Sequence, residues 1–271
     1  MGLCALLTVA TLPKVALAQE SSTAAKSDSS SSAAVPPVTI NPEADRVFKQ
    51  TCALLSGAKS FSVSAEVWED QVVSGHKIAT TKTVDVSLRR PNDLQLEVHS
   101  PKHTRGFWVD GKTVTILDRP HNLYGTIPAA GTIDQVMDKA QDNFGITFPL
   151  EDLFVSDPYA AMAHVTGGAY FGKATILGTP CQYIAFGTDQ IDVQLWVQDG
   201  AEGLPRKLVI TYKQEKTQPQ YTAIFSNWKL NPKLPDSTFA FKPPAGASKI
   251  DMLPASAELT PTGRTKEPSN K

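Results

Sequence analysis

Along the chain, apolar positions first repeat with helical spacing and then switch to strict alternation. Asn41-Pro42-Glu43 combines an N-cap residue, a proline at the first helical position and an acid in the first turn. Ala44, Val47, Phe48, Leu54 and Leu55 continue it as one helical stripe that ends near Gly57. From Phe61 the period becomes two: Phe61, Val63, Ala65 and Val67 alternate with Ser62, Ser64, Glu66 and Trp68. Val84, Val86 and Leu88 repeat the pattern, as do Leu94, Leu96 and Val98. Alternation of this kind predicts half-buried antiparallel strands. Further strands are expected at 106–109, 113–117 and 123–127, with Asp110-Gly111 as a hairpin turn.

Between about Thr132 and Ala163 the period returns to helix. Ile133, Val136, Met137 and Ala140 form one stripe, and Leu150, Leu153 and Phe154 another; Asp157-Pro158 opens a third short helix. Strands then resume at 169–177, 182–186, 193–197, 207–212 and 221–230. Helix, strands, helices, strands with hairpin-length connections predict an α+β fold with one large antiparallel sheet. A sheet of about ten strands should curl into a half-open β-barrel, its concave face covered by the central helices.

The ends differ in kind from this body. Residues 1–18 read as an export signal: Leu3 to Leu12 is apolar, and Ala16-Leu17-Ala18 forms a small-x-small cleavage site. Residues 19–40 are rich in Ser, Ala and Pro and are expected to form a flexible tether, and 254–271 a disordered tail. That leaves 41–253 as a single domain. Lys+Arg 26 against Asp+Glu 27 gives a formal charge of −1, which argues against a nucleic-acid partner bound through a basic surface. No apolar run is long enough for a transmembrane segment in the mature chain. Past the leader only Cys52 and Cys181 remain. In an oxidising compartment they are a possible disulfide, pinning the first helix to a later strand; two buried free thiols are the alternative.

Gly106 to Thr113 satisfies the phosphate-loop pattern G-x-x-x-x-G-K-[ST]. Its spacers include Phe, Trp and Val, and β-branched residues follow where a helix is required, so a hairpin is the better reading and no nucleotide is expected. His99 and His103 have Pro101 between them and no ligand partners at suitable spacing, so no metal is expected. Glu151 and Asp152 sit at a helix start, where acids favour the dipole. No nucleophile elbow occurs, no cofactor is implied, and no catalytic constellation emerges. Arg90 follows Val84, Val86 and Leu88 on the apolar face, whereas Arg89 falls outward.

Several segments are familiar together: Arg89-Arg90-Pro91, Trp108 to Thr113, Asn122-Leu123-Tyr124, Asp152 to Pro158, Gly178 to Cys181, Val193 to Trp196, Leu204 to Ile210 and Phe239 to Pro244. On these the chain resembles a bacterial family of predicted periplasmic proteins, domain of unknown function 2092, itself similar to lipoprotein carriers of the LolA/LolB type. The resemblance implies a LolA-like open barrel in which Arg90, before Pro91, ties down the helical lid. It also implies a periplasmic location.

The functional expectation is a non-catalytic periplasmic protein that binds or carries a hydrophobic ligand, such as a lipid or a lipoprotein acyl chain, in a lidded apolar cavity. Strand parity gives the cavity wall as Phe61, Val63, Val86, Leu88, Leu96, Phe107 and Val109, with Arg90 at the rim. The lid is expected from Ile133, Val136 and Met137 and from Leu150, Leu153 and Phe154. The competing expectation is an envelope module that binds other envelope proteins and fills its core with its own side chains.

Overall fold

The computed structural model describes residues 39–256; the expected export leader, most of the serine-rich tether and the tail from residue 257 lie outside the described residues. The described chain begins with a short strand β1 (Thr39–Ile40) and helix α1 (Pro42–Gly57). Asn41 caps α1 as expected, its Oδ1 accepting from the Glu43 and Ala44 amides at 2.9 and 3.3 Å. A six-stranded meander follows: β2 (Ser60–Val73), β3 (His76–Arg89), β4 (Asp93–His99), β5 (Thr104–Asp110), β6 (Thr113–Asp118) and β7 (Leu123–Pro128). Helix α2 (Ile133–Phe144) and two 3-10 turns, Glu151–Leu153 and Pro158–His164, make the middle. A second meander comprises β8 (Gly167–Ile176), β9 (Thr179–Gly187), β10 (Ile191–Gln198), β11 (Pro205–Tyr212) and β12 (Gln220–Leu230), and β13 (Ser248–Ile250) is the last described strand.

All thirteen strands form one open sheet in the order β1-β8-β9-β10-β11-β12-β2-β3-β4-β5-β6-β7-β13. The last strand of the second meander pairs antiparallel with the first strand of the first, which fuses the two halves. Short parallel strands close each edge: β1 on β8 and β13 on β7. Each cap is short: β1 pairs with Gly167 and Gly168 alone, and β13 with Leu123 to Gly125. Two segments expected to be loose are therefore anchored at their inner ends. Thr39–Ile40 of the tether pairs with Gly167–Gly168, and Ala255 at the start of the tail donates to the Asn143 carbonyl at 2.8 Å.

Register places the helices on a single face. Ile184, Leu195, Leu208, Ala223 and Val67 are successive cross-strand partners from β9 to β2, so they share a face. α1 covers the β9–β10 end, packing Ala44 and Val47 against Ile184, Phe186, Leu195 and Val197. α2 and residues 148–155 cover the other half, in one cluster with side chains from β12 and from β2 through β7. Seven neighbouring strands at about 4.8 Å spacing span about 29 Å, far more than one helix of about 10 Å diameter can touch on a flat sheet. The sheet must wrap around its cover, which gives the half-open barrel.

Three local features refine or correct what the sequence predicts. The Gly106–Thr113 motif is the β5–β6 hairpin: Gly111 has φ 75°, and the Asp110 carboxylate accepts from the Lys112 and Thr113 amides at 3.0 and 2.7 Å. Of the two readings left open for Cys52 and Cys181, the structure has the free thiols, both buried, one in α1 and one in β9. β2 and β3 also run on to Val73 and His76, well past the alternating segments, as an exposed arm.

Candidate lipid-binding cleft

Beyond Gly145 the cover of the sheet continues from helix α2. Thr132 caps its start in a capping box with Gln135, and Gly145, at φ 64°, stops it in the left-handed conformation that only glycine adopts without strain. At about 1.5 Å per residue α2 spans about 18 Å, so the chain from Ile146 to Val155, with only the 3-10 turn Glu151–Leu153, covers the remaining face.

Two polar anchors hold this segment. The Arg90 guanidinium donates to the Phe154 carbonyl at 2.9 Å, the Val155 carbonyl at 3.2 Å and the Leu55 carbonyl of α1 at 3.4 Å. One cation thus joins the end of β3, the lid and the first helix. Burial pulls its pKa below the ordinary arginine value, and its Nε lies buried without a partner. An arginine stays cationic under that pull, so its charge is met by these carbonyl dipoles, with the nearby Asp134 carboxylate adding a weaker attraction. On the other side, Asp134 of α2 accepts from the Ser156 amide at 3.1 and 3.2 Å.

The seven wall residues expected from parity, Phe61, Val63, Val86, Leu88, Leu96, Phe107 and Val109, are 0% to 7% exposed. They lie in the packed core, together with Ile133, Val136 and Met137 of α2 and with Phe154. None of these lines the cavity described next. Arg90 sits at their rim, bonded to the lid.

The open space is elsewhere. A cavity of about 620 Å³ lies between lid residues 147–153 and strands β2, β11 and β12, in the gap that α1 and α2 leave on the sheet. Its apolar lining includes Phe148, Leu150, Leu153, Leu208, Ile210 and Phe225, so Leu150 and Leu153 are the expected lid residues that reach it. Val72 and Val73 of the β2 arm, 45% and 51% exposed, extend one wall outward. The alternation rule that picked residues of the first meander applies equally to Leu208, Ile210 and Tyr212 and to Tyr221, Ala223 and Phe225. What the sequence lacks is any signal that the cover ends above these strands.

The polar lining is acidic. Glu69, Asp70, Glu151, Asp152 and Glu215 border the cavity, with Lys82 as the cation among them. Lys82 bonds Glu69 at 2.9 Å, and Lys77 bonds Asp70 at 3.2 Å. Glu151, Asp152 and Glu215 have no cationic partner among the described residues. Burial, with the neighbouring Glu151 charge second, pushes the Asp152 carboxyl up to about 7. Glu151 is raised as well, by burial, against a bond from the Phe148 amide. Both acids lie in the first turn of the Glu151–Leu153 3-10 helix, and both line the cleft. Burial also raises the Tyr221 phenol, whose hydroxyl is buried without a hydrogen-bond partner, and pushes Tyr212 up to about 12. No group of His, Cys, Asp or Glu suited to a metal ion occurs among the described residues.

Residues 44–253, almost the whole described fold, match the family described as predicted periplasmic protein (DUF2092). The chain belongs to this family. Membership makes it a periplasmic protein, in accord with the export leader read at residues 1–18. Among curated proteins none matches the sequence. Several solved structures are similar at low identity. The Mycobacterium tuberculosis lipoprotein LppX is 12% identical, with 72% of this chain and 98% of that chain covered and a TM-score of 0.45. LprF from Mycobacterium bovis is 15% identical over 78% of this chain and 100% of that one, TM-score 0.44. A LolA superfamily protein from Nitrosomonas europaea is 9% identical, covering 73% and 97%, with a TM-score of 0.36.

Proposed function

We propose that this protein is a non-catalytic periplasmic binder or carrier of a hydrophobic ligand, held in the cleft between residues 147–153 and strands β2, β11 and β12. The observation behind this reading is the cavity itself. About 620 Å³ lies within the range typical of small-molecule sites, and its inner wall is aliphatic and aromatic. Each methylene buried there contributes about 0.8 kcal/mol, so an acyl chain gains affinity without any reactive group nearby.

A second reading has an observation of its own. The centre of the helix-covered face is filled by the protein's own side chains, as an envelope interaction module would require. Ligand carriage needs only the cleft beside that core. Protein purified from envelope fractions should release acyl lipid on solvent extraction and show a ligand-bound species by native mass spectrometry. Ile210→Trp, which fills the cleft, should lose that species with its circular dichroism unchanged. Wild-type protein free of lipid from envelope and from reconstitution with acyl probes would leave the interaction module.

A further inference from the structure

The cleft carries two chemistries, apolar and acidic, and they specify different parts of a ligand. Phe148, Leu208, Ile210 and Phe225 form an apolar floor. Around it stand three carboxyl groups without a cation, Glu151, Asp152 and Glu215, together with the buried, unpartnered hydroxyl of Tyr221. A buried hydroxyl without a partner in a native protein calls for an explanation, and a ligand donor or acceptor is one. The lysines of this region are already taken up by Glu69 and Asp70.

Resting on the reading of the cleft as a ligand site, we propose that its preferred occupant is a long-chain amphiphile whose polar end is a cationic ammonium group. An anionic head would meet uncompensated carboxylates in a partly desolvated space, where like charges repel strongly. An ammonium meets three carboxyl groups without a cation, since the one lysine of the lining, Lys82, is paired with Glu69. The raised pKa of Asp152 agrees with this: a carboxyl held near neutrality is ionised by the arrival of a cation, and the pair then forms a charge-assisted bond. A bare inorganic cation fits less well, since no ligand cluster suited to a metal is present among the described residues and the floor is apolar.

The test is a head-group series at constant chain length on the whole mature protein. Dodecylammonium, dodecanol and laurate are titrated below their micellar concentrations at neutral pH, with butylammonium as the tail-less arm. The expected order is dodecylammonium tighter than dodecanol by about tenfold, laurate weakest and butylammonium without measurable binding. In Asp152→Asn the ratio of ammonium to alcohol affinity should fall towards one. Because the series is read first on the wild-type protein, a variant that fails to fold leaves the result intact. Laurate binding as tightly as dodecylammonium overturns the head-group assignment and leaves the hydrophobic cleft standing. Butylammonium matching dodecylammonium also overturns it, as a small-cation site. If none of the dodecyl probes binds, the cleft reading falls and this inference falls with it.

Discussion

Arg90 and Asp152 are two desolvated groups with opposite fates, and the difference lies in their partners. Arg90 is met by three carbonyls from the lid and the first helix. Arg90→Met removes the donor those carbonyls share and should cost about 2–4 kcal/mol in urea unfolding. Amide exchange at 153–156 should accelerate relative to β3; unchanged exchange would mean that packing alone holds the lid. Asp152 faces a cleft without a free cation. Its carboxyl keeps its proton to about pH 7 in the folded protein and loses it near 3.8 in the unfolded chain. The folded state therefore loses stability as pH rises from about 4 through about 7, and the penalty is constant above that. Asp152→Asn should melt above wild type at pH 8 and level with it at pH 4. Equal melting temperatures at both values would show that the carboxyl is solvated. A stability penalty at a ligand site is a common price of function.

Among the elements, α2 and the β2–β3 arm do different work. α2 is an amphipathic helix held by a capping box, and Thr132→Ala should destabilise the fold by about 1 kcal/mol in chemical denaturation. The arm adds little to the core, since Val72, Val73 and Ile78 remain largely exposed. Replacing residues 71–80 with a tight turn should leave thermal unfolding close to wild type. It should also weaken acyl-probe binding by about tenfold, because one outer wall of the cleft is lost. Unaltered binding would confine the ligand to the inner floor. The alternating segments of β2 and β3 are legible from Phe61 to Val67 and from Val84 to Leu88. The arm is not legible, because neither of its faces is buried and no apolar period marks it.

At the scale of the whole molecule, two apolar clusters join the sheet to its helical cover. Cys52 is buried, its thiol pushed up to about 12, and Cys181 is buried as well. Reducing agent should leave the melting temperature unchanged, and native alkylation should be slow; a fall of several degrees on reduction would reveal a bridge. The sequence by itself determined the order of the two meanders and the helices between them, the cap of α1, the apolar face of the alternating strands and the inward turn of Arg90, because each follows from spacing within a few residues. It did not determine which apolar residues border open space. Phe61 and Phe225 have the same inward parity, yet one is sealed in the core and the other borders the cleft. Only the tertiary structure decided that, through where α1 and α2 end above the curled sheet, and a strand's period carries no information about a cover that lies far away along the chain.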